Sequence, residues 1–338
     1  MFDMLRRWKQ GMAGAGLCLL GLAVPAAIGI SLFGGASEPQ MPRPVEQIAG
    51  ASSLHNRLIG ALPATHASNH RQLESHFDTL GYTLTAVRQG EEVPRLFLHT
   101  IPQDLPELAD YRQRKTAFIQ IMLPLILAEN EKILNDRRRL VALHARYAAK
   151  GQLQPDQQTW LRELADYYRL ADFSAGREED WRRLLRRVDV IPASLALAQG
   201  AIESGWGTSR FAQQGNAIFG QWSWKPGSGM VPEGRPEGAQ YEIRAFQRLS
   251  ISVRSYLRNL NTHRAYAALR QNRVQMRAEG TEPRGWALAG HLESYSQRGV
   301  DYIAELRKII RINRLDKLDK AILRAAGQSD YPTTLSML

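Results

Sequence analysis

From Ile191 to Ile202 the chain carries no charged residue and is built mostly of Ala, Leu, Ile and Gly; a glutamate follows at 203, and glycines stand at 205 and 207. Pro192 suits a first helical turn, Leu195, Ala198 and Ile202 fall on one stripe, and the glycines stop the helix. The pattern predicts an apolar, alanine-rich helix whose last turn holds one carboxylate, Glu203. Burial disfavours the charged form, and the negative end of the helix dipole disfavours it again, so the proton affinity of Glu203 should be raised. A carboxylic acid that keeps its proton near neutral pH is what a glycosidic oxygen requires, because a sugar leaves poorly until protonated. A glutamate simply pointing to solvent near a helix end is the competing reading.

The N-terminus bears on compartment. Arg6, Arg7 and Lys9 precede a run from Gly11 to Phe33 without a charged residue. About 20 residues cross a bilayer as a helix, and secretory apolar regions are usually shorter, so residues 11–33 read as a signal anchor, with a cleaved signal peptide as the alternative. The basic flank places residues 1–10 in the cytoplasm and the remainder outside, on the periplasmic face of an inner membrane. Residues 34–53, with Pro39, Pro42 and Pro44, read as a linker.

The 44 Lys plus Arg against 33 Asp plus Glu give a net charge of +11, which favours a polyanionic partner. The charge does not choose among nucleic acid, an acidic membrane surface and a carboxylate-bearing wall polymer. Basic and aromatic residues do not interleave as in a nucleic-acid module, and an exported chain meets little nucleic acid, so no nucleic-acid partner is expected. The single cysteine, Cys18, excludes an intrachain disulfide, and the eight histidines show no metal-ligand spacing. No metal and no cofactor are expected.

Residues 54–178 read as a mostly helical accessory region. Val93 to Leu98 looks like an extended segment, and long helical patterns run from Tyr111 to about Tyr147 and from Pro155 to Leu170, with a break at Gly151 and Gln152. The Arg137–Arg139 triplet and the pairs Arg182–Arg183 and Arg186–Arg187 read as solvated helix faces, or as contacts for anionic lipid or wall carboxylates. Between residues 222 and 246, Trp222-Ser223-Trp224, the turn-forming 225–229 and the alternating 240–246 read as a short irregular β segment.

The run from Ala198 to Ala212, containing Glu203-Ser204-Gly205-Trp206-Gly207 and Ser209-Arg210-Phe211-Ala212, is followed by Asn216-Ala217-Ile218-Phe219-Gly220. It resembles the signature of the peptidoglycan N-acetylglucosaminidases of glycoside hydrolase family 73. Residues 252–263 resemble the next family helix, and Leu292 to Tyr302 the closing tyrosine motif. The likeness covers residues 185–325 well and 90–140 more loosely. The chain also resembles the Bax-type branch, which places such a domain C-terminally behind a membrane signal.

That resemblance implies a mainly α protein with a lysozyme-like α+β domain over residues 179–325, a small β lobe above a cleft, and a tail at 326–338. It implies peptidoglycan glycan strands as substrate, with Glu203 as the general acid. A second carboxylate is expected from the β lobe, where Glu233, Glu237 and Glu242 lie; Glu242 is the first choice, as it sits in the strand pattern with Arg244 on its face, and Glu237 the next. Tyr295 matches the tyrosine that closes over the cleft near the acid, whereas Tyr302 is assigned to packing. Trp206, Asn216, Phe219, Trp222 and Trp224 are candidates for substrate contact, with core packing as the competitor for the tryptophans. The leading activity is cleavage between N-acetylglucosamine and N-acetylmuramic acid. A muramidase or lytic transglycosylase of the same fold, and a non-catalytic wall-binding scaffold, are the alternatives.

Overall fold

A computed structural model describes residues 62, 65–236 and 238–325; the proposed membrane segment 11–33, the linker, the tail and Glu237 lie outside the described residues. Among the described residues no helix is long and apolar enough to cross a membrane.

Two short helices, α1 (His70–Thr79) and α2 (Leu84–Arg88), start at Asn69 and Thr83, whose side chains accept from Gln72 N and Ala86 N. In place of a strand at 93–98, the chain makes two single-residue parallel bridges, Thr65 with Leu98 and Val93 with Leu323. Helix α3 (Tyr111–Lys150) is 40 residues long and ends where Gly151 turns left-handed at φ 68°. The helices α4 (Pro155–Tyr167) and α5 (Glu178–Arg187) follow. Both predicted long helices therefore form, and the glycine break falls between them.

Helix α6 (Ala193–Ser204) is the predicted alanine-rich helix, and every residue from Ala193 to Ala201 is buried. Small side chains on all faces let it be surrounded. The first half of α3, α11 (Val300–Ile312), the short helix Gly285–Leu288 and the turn Leu315–Leu318 pack around it, while α8 (Leu249–Thr262) packs on α3 and reaches α6 through the Tyr256 hydrogen bond to Gln199. One core thus joins Phe118, Ile121 and Leu125 of α3 to Leu195 and Ala198 of α6, Leu257 of α8 and Leu306 of α11. Residues on both sides of position 179 share that core. A second cluster, with Leu140, Trp160, Leu164, Trp181 and Leu184, ties the far half of α3 to α4 and α5.

The chain leaves α6 through α7 (Arg210–Gly215) into a three-stranded antiparallel lobe of β1 (Trp222–Ser223), β2 (Gly229–Met230) and β3 (Glu242–Arg244), in the order β1-β3-β2. Trp222 faces Ile243, and Gly229 faces Arg244. A Cβ on Gly229 would lie 2.2 Å from the Ile243 carbonyl oxygen, so only glycine lets these strands approach. Phe211, Ala217 and Ile243 form a small core under the lobe. After α8 come α9 (Ala267–Ala278), the four-residue α10 (Gly285–Leu288) and α11. The protein is mainly helical with one small sheet, as expected.

Candidate active site

Glu203 is the penultimate residue of α6. Behind it Gly205, Trp206 and Gly207 take three successive positive φ angles of 58°, 61° and 80°, so the helix ends in a sharp left-handed turn. A Cβ on Gly207 would meet Ile101 Cδ1 at 2.7 Å and Phe118 at 3.1 Å. The turn is pressed against α3, which holds the end of α6 and its carboxylate in place. Trp206 carries the φ that non-glycine residues avoid, a local cost sustained by that packing.

Four residues before the acid and on the same helical face stands Gln199, fully buried. It lies in a chain of hydrogen bonds with one polarity. Tyr256 Oη donates to Gln199 Oε1 at 2.6 Å, Gln199 Nε2 donates to Tyr302 Oη at 3.0 Å, and Tyr302 Oη donates to Glu203 Oε1 at 2.8 Å. Because the amide already supplies a hydrogen to the Tyr302 oxygen, the tyrosine's own hydrogen is directed at Glu203. Oε1 is therefore an acceptor, and the proton of the neutral acid belongs on Oε2.

Burial pushes the Glu203 carboxyl up to about 7; the Glu305 carboxylate adds to the rise, and the Tyr302 hydrogen bond and the Arg298 guanidinium oppose it. Desolvation outweighs the hydrogen bond. Arg298 Nη1 lies 2.7 Å from Glu305 Oε2, and Glu305 is one helical turn beyond Tyr302 on α11, so one helix face presents the hydrogen-bond donor and the second charge. Tyr302 and Tyr295 stack in parallel, centroids 5.7 Å apart, and Tyr266 lies 5.9 Å from Tyr295. Burial, and then the charge on Glu203, raise the hydroxyl pKa of both Tyr295 and Tyr302, so these rings act as neutral donors.

The two tyrosines thus exchange the places expected of them. Tyr302, assigned to packing, holds the acid, and Tyr295 stands one ring behind, buried, donating to the Phe219 carbonyl at 3.2 Å. The spacing of the motif places both on the site but does not say which ring reaches α6.

The β lobe departs further from expectation. Glu242 is buried, and both its oxygens are occupied: Oε1 accepts from Gly227 N at 2.9 Å and Oε2 from Gly229 N at 2.8 Å. Its side chain closes the 225–229 turn and does not project into a cleft; the alternation of residues 240–246 reported a face but not this local capture by two backbone donors. Arg244 lies with its guanidinium 5.1 Å from the Phe246 ring. Glu233 is exposed and pairs with Arg210 at 3.2 Å. Nothing is described for Glu237.

Trp206 is 7% exposed, edge-on to Phe118 at 5.8 Å, with Lys115 Nζ 4.9 Å from its ring. Asn216 is buried at φ 50° and donates to the Phe246 carbonyl at 3.0 Å, tying the end of α7 to the exit of β3. Phe219 is 1% exposed and stacked on Tyr256 at 3.9 Å. These two hold the site's frame from inside the core, which corrects their assignment to substrate contact. Trp222 stacks on Tyr241 at 4.4 Å, and Trp224, 51% exposed, joins them edge-on at 6.2 Å from Tyr241. Here the lobe offers an aromatic surface.

Sequence reasoning missed Gln199, Tyr256, Arg298, Glu305 and Tyr241. Gln199 had a signal, a polar side chain one turn before Glu203 in an otherwise apolar helix; Glu305 had the i, i+3 spacing from Tyr302. Among the described residues no group of three or more His, Cys, Asp or Glu could hold a metal ion.

The model of the mannosyl-glycoprotein endo-beta-N-acetylglucosaminidase family matches residues 178–315, which contain Gln199, Glu203, Tyr256, Tyr295, Tyr302 and Glu305. The chain is 33% identical to Protein bax of Escherichia coli (strain K12) over 204 residues, 59% of this chain and 70% of that protein. No solved structure matches it.

Proposed function

The chain belongs to the Bax-type proteins with a family 73 glucosaminidase domain, and from that premise we propose that it is a peptidoglycan hydrolase that cleaves the β-1,4 bond between N-acetylglucosamine and N-acetylmuramic acid with Glu203 as general acid. The observation that carries the reading is the state of Glu203: raised to about 7 by burial, with Oε1 committed to Tyr302. Near neutrality such a group exists both as acid and as carboxylate, as an acid that must give and regain a proton requires.

Glu203 Oε2 passes its proton to the glycosidic oxygen as the C1–O bond breaks. With both Glu242 oxygens held by backbone amides, the electron pair that replaces the leaving group at C1 comes from the acetamido carbonyl oxygen of the N-acetylglucosamine itself. Water then adds at C1, opens the cyclic intermediate and returns a proton to Glu203, with retention at the anomeric carbon. The mainly helical body with its three-stranded lobe supports a lysozyme-like plan in which Trp224 and Tyr241 line the glycan path. Residues 11–33 anchor the enzyme in the inner membrane, facing the periplasm; a fusion reporter after residue 50 is active only outside the cytoplasm if so.

Mass spectrometry of muropeptides released by the chain tests the bond. Reducing-end N-acetylglucosamine supports the proposal; reducing-end N-acetylmuramic acid or an anhydro sugar transfers the assignment to a muramidase or transglycosylase. Release that survives Glu203→Gln removes the acid assignment, and no release from intact sacculi by the unmodified protein leaves a scaffold.

A further inference from the structure

A cavity of about 410 Å³ opens between α5 and the start of α9, and none of the residues bonded to Glu203 lines it. Arg183, Arg186 and Arg187 line it from α5, Arg270 and Gln271 from α9, and no carboxylate is among its lining residues. The four arginines divide into two kinds. Arg183 pairs with Asp180 at 3.0 Å and Asp172 at 3.4 Å, and Arg186 pairs with Glu179. Arg187 and Arg270 are held by carbonyls instead. Nη1 of Arg187 donates to Tyr168 O at 2.7 Å and Arg169 O at 2.9 Å; Nη1 of Arg270 donates to Leu260 O and His263 O, both at 2.9 Å.

Carbonyls fix the direction of a guanidinium without cancelling its charge; the Asp172 carboxylate, shared with Arg183, also acts on Arg187, whereas burial and like charges alone act on Arg270. Arg270 is 7% exposed, and burial first, then the charges of Arg187, Arg273 and Arg186, bring it down to about 10. Two positive charges are therefore held together in one concave site, each oriented by backbone, at a cost that an anion would relieve. A carboxylate would offset one of them. A phosphate monoester carries a charge of about −1.5 to −2 at neutral pH and three acceptor oxygens, and guanidinium forks match its geometry.

We infer that the cleft between α5 and α9 binds a phosphate monoester group, with Arg187 and Arg270 as its principal ligands and Arg183 and Arg186 at its rim. The inference is independent of the glycan chemistry at Glu203. The site sits on elements that lie within the family match but takes no part in proton transfer.

Substituting Arg187 or Arg270 removes backbone hydrogen bonds as well as charge, so the decisive variants add an internal anion at exposed lining positions and leave every arginine in place: Gln271→Glu and Ala268→Asp. Titration calorimetry on the full-length chain in detergent micelles, with inorganic phosphate at pH 8 and acetate as the monoanionic control, should give saturable one-site binding of phosphate only. Each variant should weaken it by at least about 10-fold while hydrolysis of glycan strands stays unchanged. No saturable phosphate heat, equal affinity in wild type and Gln271→Glu, or acetate binding as tightly as phosphate overturns the inference.

A second arm separates a lipid from a soluble source. Cosedimentation with phosphatidic acid vesicles that exceeds that with phosphatidylcholine, is lost in Gln271→Glu and is competed by inorganic phosphate supports the site with a lipid headgroup. Phosphate binding in solution with equal sedimentation on both vesicles supports it with a soluble phosphate. Phosphatidic acid binding that persists in both variants reflects a charged surface and overturns a built site.

Discussion

Tyr302 Oη donates to Glu203 Oε1 at 2.8 Å across 99 residues of sequence, and Gln199, on the acid's own helix, fixes that direction by donating to the same tyrosine. The proton of the acid is thereby confined to the other oxygen, and each charge near Glu203 shifts the pH at which it is lost.

Glu203→Gln should abolish hydrolysis of soluble glycan chains, a loss of at least the 10²- to 10⁴-fold typical of a general acid, with unchanged circular dichroism. Clearing in a zymogram near wild-type level would show that another group supplies the proton.

The same substitution should change the dependence of stability on pH. A glutamate held at about 7 in the folded protein and near 4.5 when unfolded leaves stability intact below 4.5 and erodes it as pH rises towards 7. Relative to Glu203→Gln, the wild type should therefore lose up to ~3 kcal/mol between pH 4 and pH 8. Thermal melts across that range would show parallel curves for the two proteins if the carboxyl were not raised.

Tyr302→Phe removes the hydrogen bond that favours the charged form, so the alkaline limb of kcat should move to higher pH while kcat at its optimum falls. A limb that moved down would mean that Tyr302 stabilises the neutral acid instead.

Arg298 and Glu305 act on Glu203 with opposite signs. Arg298→Gln should move the alkaline limb up and Glu305→Gln should move it down, with melting temperatures little affected because Arg298 is exposed and Glu305 half-exposed. Shifts of the same sign in both variants would assign the pair to packing.

Glu242→Gln replaces one of two acceptor oxygens by a donor facing a backbone N–H. The expected result is a cost of about 1–3 kcal/mol concentrated in residues 225–230, visible as faster amide exchange there, and a rise in KM larger than the fall in kcat. Collapse of kcat with normal exchange would return Glu242 to the chemistry.

Local rules were enough to read the helix that carries the acid, its end at the glycines, the long helical hairpin broken at Gly151 and the small β segment, because each depends on residues within a few positions of one another. The raised proton affinity of Glu203 was legible too, since an uncharged helix of small residues announces its own burial. Packing alone decided which tyrosine reaches the acid, which of its oxygens holds the proton and where the neighbouring charges lie. Gln199 meets Tyr302 103 residues away and Tyr256 57 residues away. Periodicity tells which face a side chain occupies but not which partner that face meets: the strand pattern places Glu242 on the cleft face, whereas in the fold two backbone amides from its own lobe hold it.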